Sequence, residues 1–208
     1  MHAKPPASIT SRPHRLALAL TAAALLATGS LASPSFGGFL SPAHAAETSD
    51  SNDERDEVER LALHIADSFK MPLPAVQRIV AAAFSQAEAQ GVSPTLILAV
   101  VAQESSFRNT ARSSYGAQGL MQVSARHHPD KLRGLRHDAL YRPETNIRVG
   151  TQVLAEYLEQ HNGRLDQALK KYSGNASSYP RKIRAFWTRL EHVRRTASVD
   201  ALQPLGSV

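Results

Sequence analysis

Glu104 ends the stretch Pro-Thr-Leu-Ile-Leu-Ala-Val-Val-Ala-Gln-Glu, residues 94–104, in which Leu96 to Ala102 is apolar without interruption. A run with no polar face predicts a helix surrounded by other elements. Such a helix would deliver a single carboxyl into the following segment, which is rich in Gly, Ser and Asn. Desolvation disfavours the charged form of a carboxyl, so Glu104 is expected to hold its proton to a higher pH than a free Glu. A general acid working near neutral pH requires that property. The plainer role, a helix-terminal Glu that solvates the end of its own helix, fits the position equally well.

Other chemistries find little support. The chain has no cysteine, which excludes disulfides, a thiol nucleophile, thiolate metal sites and a lipid-anchored N-terminal Cys. It contains no Gly-x-Ser-x-Gly elbow, phosphate loop or dinucleotide fingerprint. His127 and His128 are adjacent and Asp130 is near, but neighbours on a helix point in different directions and no His-Glu-x-x-His spacing occurs. No metal or cofactor is expected. Arg181, Lys182, Arg184, Arg189, Arg194 and Arg195 make the C-terminal segment basic, with Glu191 its only acid. No aromatic residues are interleaved on that polar face, so a solvated helix face is expected there rather than a nucleic-acid surface.

The elements that would position Glu104 follow from composition and periodicity. Of 208 residues, 42% are hydrophobic and only 6% aromatic, and Ala is abundant, which favours an all-α domain. The N-terminus has the form of an export signal: basic Lys4, Arg12 and Arg15, then the apolar run Leu16 to Leu26, too short to span a bilayer permanently. Cleavage is expected after Ala45, with Ala32 as the alternative, leaving no stable membrane anchor. All 18 carboxylates lie beyond this segment, so its removal leaves 21 basic groups against them, a net charge of +3 rather than +6. The basic balance is therefore weak evidence for nucleic acid, and no nucleic-acid partner is expected.

Residues 46–57 are acidic and are expected to be a flexible lead-in or a solvated first turn, residues 58–195 the folded domain, and residues 196–208 a flexible tail. Within the domain, Val58, Leu61, Ile65 and Phe69 share one helical face, broken by Met71-Pro72-Leu73-Pro74. A second helix runs to Gly91, and Ser93-Pro94 caps the start of the third. Residues 119–126 suggest a short helix and residues 131–142 a loop with helical turns. Pro143 opens a helix to about Gln160, a short helix spans Leu165 to Tyr172, and Pro180 begins the last amphipathic one.

Taken in order, Gln-Glu-Ser-Ser-Phe (103–107), Tyr-Gly-Ala-Gln-Gly-Leu-Met-Gln-Val (115–123), Asn-Ile-Arg-Val-Gly (146–150) and Ala-Leu-Lys-Lys-Tyr (168–172) resemble the catalytic domain of soluble lytic transglycosylases, which has the goose-type lysozyme fold. The resemblance covers roughly residues 75–190. It implies a single compact, all-α, lysozyme-like domain with a substrate groove, acting on peptidoglycan glycan strands in the periplasm or outside the cell. It assigns Glu104 as the acid/base that cleaves the bond between N-acetylmuramic acid and N-acetylglucosamine and leaves a 1,6-anhydromuramoyl end. The substrate's 2-acetamido group would replace the second carboxylate that most glycosidases need.

By the same resemblance Tyr172 is catalytic, its hydroxyl near the Glu104 carboxyl. Ser105, Gly119, Met121, Gln122 and Asn146 are expected at the substrate, although Ser105 could instead cap its helix and Asn146 could fix the groove floor. The chain departs from the family pattern in two places. Tyr172-Ser173-Gly174-Asn175 stands where Tyr-Asn-Ala-Gly is usual, and Val-Ser-Ala-Arg-His-His (123–128) lacks the usual Met-Pro-x-Thr turn. A lysozyme-like hydrolase of the same bond, and a non-catalytic glycan-binding or secretion-assembly protein with cell-envelope partners, are the alternatives.

Overall fold

The computed structural model describes residues 42–200, so the expected export segment, through residue 41, and the end of the C-terminal tail lie outside the described residues. Six α-helices carry the described part: α1 (Pro42–Phe69), α2 (Leu73–Gln90), α3 (Pro94–Ser105), α4 (Pro143–Gln160), α5 (Leu165–Tyr172) and α6 (Tyr179–Asp200). Between α3 and α4 lie two short strands, β1 (Ala117–Gln118) and β2 (Val123–Ser124), and a 3-10 turn at Ala139–Tyr141. Among the described residues no helix is long and apolar enough to cross a membrane. Residues 46–57 lie within α1, and Glu57 is bound by Arg194 of α6 through contacts of 3.0 and 3.1 Å.

α3 is the axis of the domain. Thr95 to Ala102 are all buried, as an apolar run without a polar face requires, and α2 and α6 pack against it. Its start is set by local chemistry. Gly91 closes α2 in the left-handed conformation at φ 64°, and the Ser93 hydroxyl accepts the Leu96 amide at 3.4 Å. Thr95, the one polar residue on this part of α3, is satisfied from α6: Trp187 Nε1 donates to its hydroxyl at 3.1 Å, and the hydroxyl donates to Glu191. Glu191 also receives Arg194, the residue that holds Glu57, so one polar network ties α1, α3 and α6 together.

Residues 119–126 do not form the expected helix. β1 and β2 pair antiparallel, Ala117 opposite Ser124 and Gln118 opposite Val123, around a turn in which Gly119 has φ 75° and Gln122 φ 48°. Positive φ is incompatible with a right-handed helix. The turn is held from a distance by Asn146, a fully buried residue of α4. Its Oδ1 accepts the Met121 amide at 2.7 Å, and its Nδ2 donates to Gln118 O at 2.8 Å and Leu140 O at 2.7 Å. The sequence pattern of Leu120 and Met121 suits a helix, but these tertiary bonds fix the backbone otherwise.

Two glycines make this approach possible. A Cβ on Gly119 would stand 2.1 Å from Leu140 O and 2.2 Å from Asn146 Nδ2. Gly150 lies one helical turn after Asn146, on the same face, and a Cβ there would stand 2.6 Å from Met121 Cβ and Sδ. Gly150→Ala gains about 1 kcal/mol of helix propensity, but overpacking a closed core costs roughly 1–3 kcal/mol. Met121 is fully buried, and the collision includes its Cβ as well as the flexible end of its side chain. A net loss of stability is expected in urea unfolding, and an unchanged or raised midpoint would show that the α4–turn contact is looser than described.

Candidate active site

Glu104 occupies the last turn of α3, and the chain reverses immediately after it. Ser106 caps the helix in the left-handed conformation at φ 51°, its amide donating to Ala102 O at 3.1 Å, and Phe107 follows at φ 64°. Two consecutive left-handed residues without glycine are strained. The strain is offset by Phe107, which is 1% exposed and packs edge-on against Phe69 at a centroid distance of 4.7 Å. The reversal leaves Glu104 half-buried at the wall of a groove of about 640 Å³, which Gln103, Tyr115, Gln122, Tyr172, Tyr179 and Lys182 help to line.

The Glu104 carboxyl is held by Tyr179, whose hydroxyl donates to Oε1 at 2.5 Å. Burial raises the pKa of Glu104 above the ordinary Glu value, and the Tyr179 bond, which favours the carboxylate, opposes that rise without cancelling it. The C-terminal end of a helix also carries partial negative charge that disfavours a carboxylate. Tyr179 itself is pushed far up, first by its own burial and then by the neighbouring Glu104 charge, so it remains a donor.

Tyr172 stacks on Tyr179 with centroids 6.5 Å apart and planes 20° from parallel, and Tyr157 stands edge-on to Tyr172 at 6.3 Å. Burial and then the charge of nearby Glu104 raise the pKa of Tyr172, but its hydroxyl makes no hydrogen bond to the carboxyl. It donates to Met121 O at 2.9 Å and thereby ties α5 to the turn. Tyr179 was missed because nothing in Ser-Ser-Tyr-Pro distinguishes it from an ordinary residue before a helix. Only the return of α6 across α3, 75 residues further along the chain, brings it to Glu104.

The remaining expected site residues divide. Gln122 lines the groove, its Nε2 donating to Ala111 O at 3.2 Å and Gly119 O at 2.9 Å. Ser105, Met121 and Asn146 are 3%, 0% and 0% exposed, Gly119 is buried, and none of the four lines the groove, so Ser105 and Asn146 take the structural alternatives open to them. The Ser105 hydroxyl donates back to Val101 O at 3.1 Å within its own helix. Met121 packs under Gly150, and Gly119 and Asn146 lie behind the groove wall. Tyr115, by contrast, is 83% exposed at the groove. Its turn is fixed by Gly116 N donating to Ser113 O at 3.1 Å and Ala117 N to Ser113 Oγ at 3.0 Å.

Among the described residues, Glu104 is the only carboxylate lining this groove. Asp138 and Glu144 are paired elsewhere with Arg136 and Arg78, and Asp130 with Lys131.

Residues 81–189, just over half of the chain, match the model of the family described as Transglycosylase SLT domain. Among solved structures, a match is found to an inactive mutant of the lytic transglycosylase Slt from Pseudomonas aeruginosa, at 23% identity and a TM-score of 0.45. It covers 61% of this chain and 25% of that one, so the chain spans about a quarter of that protein's length.

The raised Glu104 pKa has a consequence for stability. The folded state holds this proton more tightly than the unfolded chain, so the contribution is fully present below the ordinary Glu pKa of 4.5 and is lost as pH rises through the folded-state value. Glu104→Gln removes the ionisation and keeps the shape. Its unfolding temperature relative to the unsubstituted protein is expected to be higher at pH 7 than at pH 4. An offset independent of pH would mean that Glu104 is not forced to ionise in a desolvated site.

Proposed function

The chain belongs to the Transglycosylase SLT domain family, and from that premise we propose that it is an exported peptidoglycan lytic transglycosylase with Glu104 as its acid/base. The observation that carries this reading is a single carboxylate, raised in pKa by burial, facing a groove and held by one tyrosine hydroxyl. In this reading the segment through Ala45 directs export, residues 58–195 are the catalytic domain, and the enzyme meets its substrate outside the cytoplasm.

The glycan strand lies along the groove, with the exposed ring of Tyr115 offering an apolar face to a sugar. Protonated Glu104 gives its proton to the oxygen between N-acetylmuramic acid and N-acetylglucosamine. The C1–O bond breaks, and the 2-acetamido group stabilises the positive centre left at C1. Glu104, now a carboxylate, takes the proton from the muramoyl 6-hydroxyl as that oxygen bonds to C1, which closes the 1,6-anhydro ring and returns the acid to its starting state. One carboxylate performs both transfers, which suits a groove with only one. Tyr179 keeps the carboxyl oriented through both steps and stabilises the intermediate anion. Tyr172 acts through position: it stacks on Tyr179 and holds the turn that carries Gln122.

Glu104→Gln is expected to reduce murein cleavage by about 10²–10⁴-fold while the protein stays folded. Mass spectrometry of the wild-type digest is expected to find ends one water lighter than hydrolytic products. Reducing ends in their place would assign the hydrolase reading, and full activity in Glu104→Gln would remove the catalytic one.

Tyr179→Phe deletes a hydrogen bond to a charged group, worth about 1.5–3 kcal/mol, and should lower turnover roughly ten- to a hundredfold. Because that bond lowers the Glu104 pKa, its loss should also move the alkaline limb of the pH–rate profile to higher pH. A slower enzyme with an unmoved limb would give Tyr179 a purely structural role.

A further inference from the structure

Beyond Tyr172 the groove opens into a second pocket of about 320 Å³. The two cavities share Gln122, Ser124, His127 and Tyr172, so the second adjoins the groove that holds Glu104. Both departures from the family pattern meet here: the 123–128 segment supplies Val123, Ser124, His127 and His128, and the 172–175 segment supplies Tyr172, Gly174 and Asn175. They are far apart in sequence and line one space.

The chemistry of that space is one-sided. Lys171, His127 and His128 line it together with amide and hydroxyl groups, and no Asp or Glu does. Asp130 and Glu156, whose charges reach His128, are both engaged by Lys131, and Glu104 lies across Tyr172 in the adjoining groove. Lys171 has no ion-pair partner among the described residues. Its Nζ lies 6.0 Å from the centroid of the Tyr157 ring, which orients the ammonium without neutralising it.

The turn after Lys171 is built rather than loose. Ser173 Oγ donates to Lys170 O at 3.0 Å and accepts the Ala176 amide at 3.1 Å, while Asn175 N donates to Lys170 O at 2.7 Å. Gly174 and Asn175 take positive φ of 68° and 76° within it. Ser173 therefore closes the turn that sets Lys171 and Asn175 at the pocket.

We propose that this pocket is an anion subsite, in which Lys171, flanked by His127 and His128, binds a carboxylate carried by the muramoyl side chain of the strand. The proposal rests on the peptidoglycan reading above and adds a recognition element outside the bond-cleaving groove. A compact ammonium beside hydrogen-bonding groups suits a carboxylate. On murein that group has two sources: a carboxylate of the peptide stem, or the lactyl carboxylate left free when the stem has been removed.

Binding separates this proposal from catalysis. Calorimetry in the Glu104→Gln background, with and without Lys171→Met, would use three probes: stem-bearing glycan fragments, the same fragments stripped by an amidase, and neutral N-acetylglucosamine oligomers. Lys171→Met keeps the aliphatic stem and removes only the charge. It is expected to weaken binding about fivefold, the scale of a partly exposed charge pair, for at least one of the two carboxylate-bearing probes and not for the neutral one. The difference should shrink as salt is raised. Loss confined to stem-bearing fragments assigns the peptide carboxylate, and loss with stripped fragments assigns the lactyl group. Equal affinities for all probes, or equal loss on all three, would overturn the subsite. Cleavage of intact murein by the unsubstituted protein tests the enzymatic reading separately, so either can fail alone.

Discussion

The structure depends on placing an ionisable carboxyl where ionisation is unfavourable. At the end of α3, removal from water and the negative end of the helix dipole act together against the Glu104 anion. An apolar helix is needed to carry the residue that deep, and α2 and α6 pack against it to bury its apolar surface. The abrupt exit through Ser106 and Phe107 ends the helix one residue after Glu104 and leaves its carboxyl at the groove wall. Two left-handed residues cost roughly 1–2 kcal/mol each, a cost of the size recovered by fully burying one Phe. Phe107 therefore serves as an anchor for the reversal as well as a core residue.

A second constraint supports the opposite wall. Asn146 brings a carboxamide into an apolar interior, which is tolerable only when its hydrogen bonds are made. Both of its donor hydrogens and its oxygen are used, on three backbone groups from the 118–121 turn and the 3-10 turn. Such an arrangement is specific in a way that apolar packing is not, since any shift of the turn strands several buried polar atoms together. It accounts for glycine at 119, where a Cβ would collide with Leu140 O and Asn146 itself, while glycine at 150 makes room for the Met121 side chain that the turn directs inward. The turn then holds Gln122 in the groove and presents Met121 O to Tyr172, so the floor and the tyrosine ladder are mechanically one unit.

What could be read from the sequence was what local chemistry decides. Gly91, Ser93-Pro94 and the apolar run after them give the start and burial of α3, and with them the environment of Glu104. The helices at 143–160 and 165–172 follow from their own punctuation. The hairpin at 117–124 was not readable, because its backbone is fixed by an Asn more than twenty residues away. Met121 was expected at the substrate from its place in a motif, and Ser105 either there or at its own helix end, because motif position does not say which way a side chain faces. Ser105 turns back to Val101, and Met121 turns inward beneath Gly150. Tyr179 was hidden for the reason that makes it important: its partner is distant in sequence, and the contact exists only once α6 has crossed α3.

The connection between α5 and α6 is where these constraints meet. It begins at Tyr172, which is tied to the turn beneath the groove, and ends at Tyr179, which is tied to Glu104. Between them Ser173 closes a compact turn that places Lys171 and Asn175 on the neighbouring pocket. The two ends of this short segment are therefore fixed, one to the Glu104 carboxyl and the other to the turn beneath the groove. Ser173, which stands where the family pattern has Asn, supplies hydrogen bonds that close the span between the two tyrosines. Held at both ends, the middle of the loop can differ in side-chain chemistry without moving Tyr172 or Tyr179, and so without disturbing the hydrogen bond to Glu104.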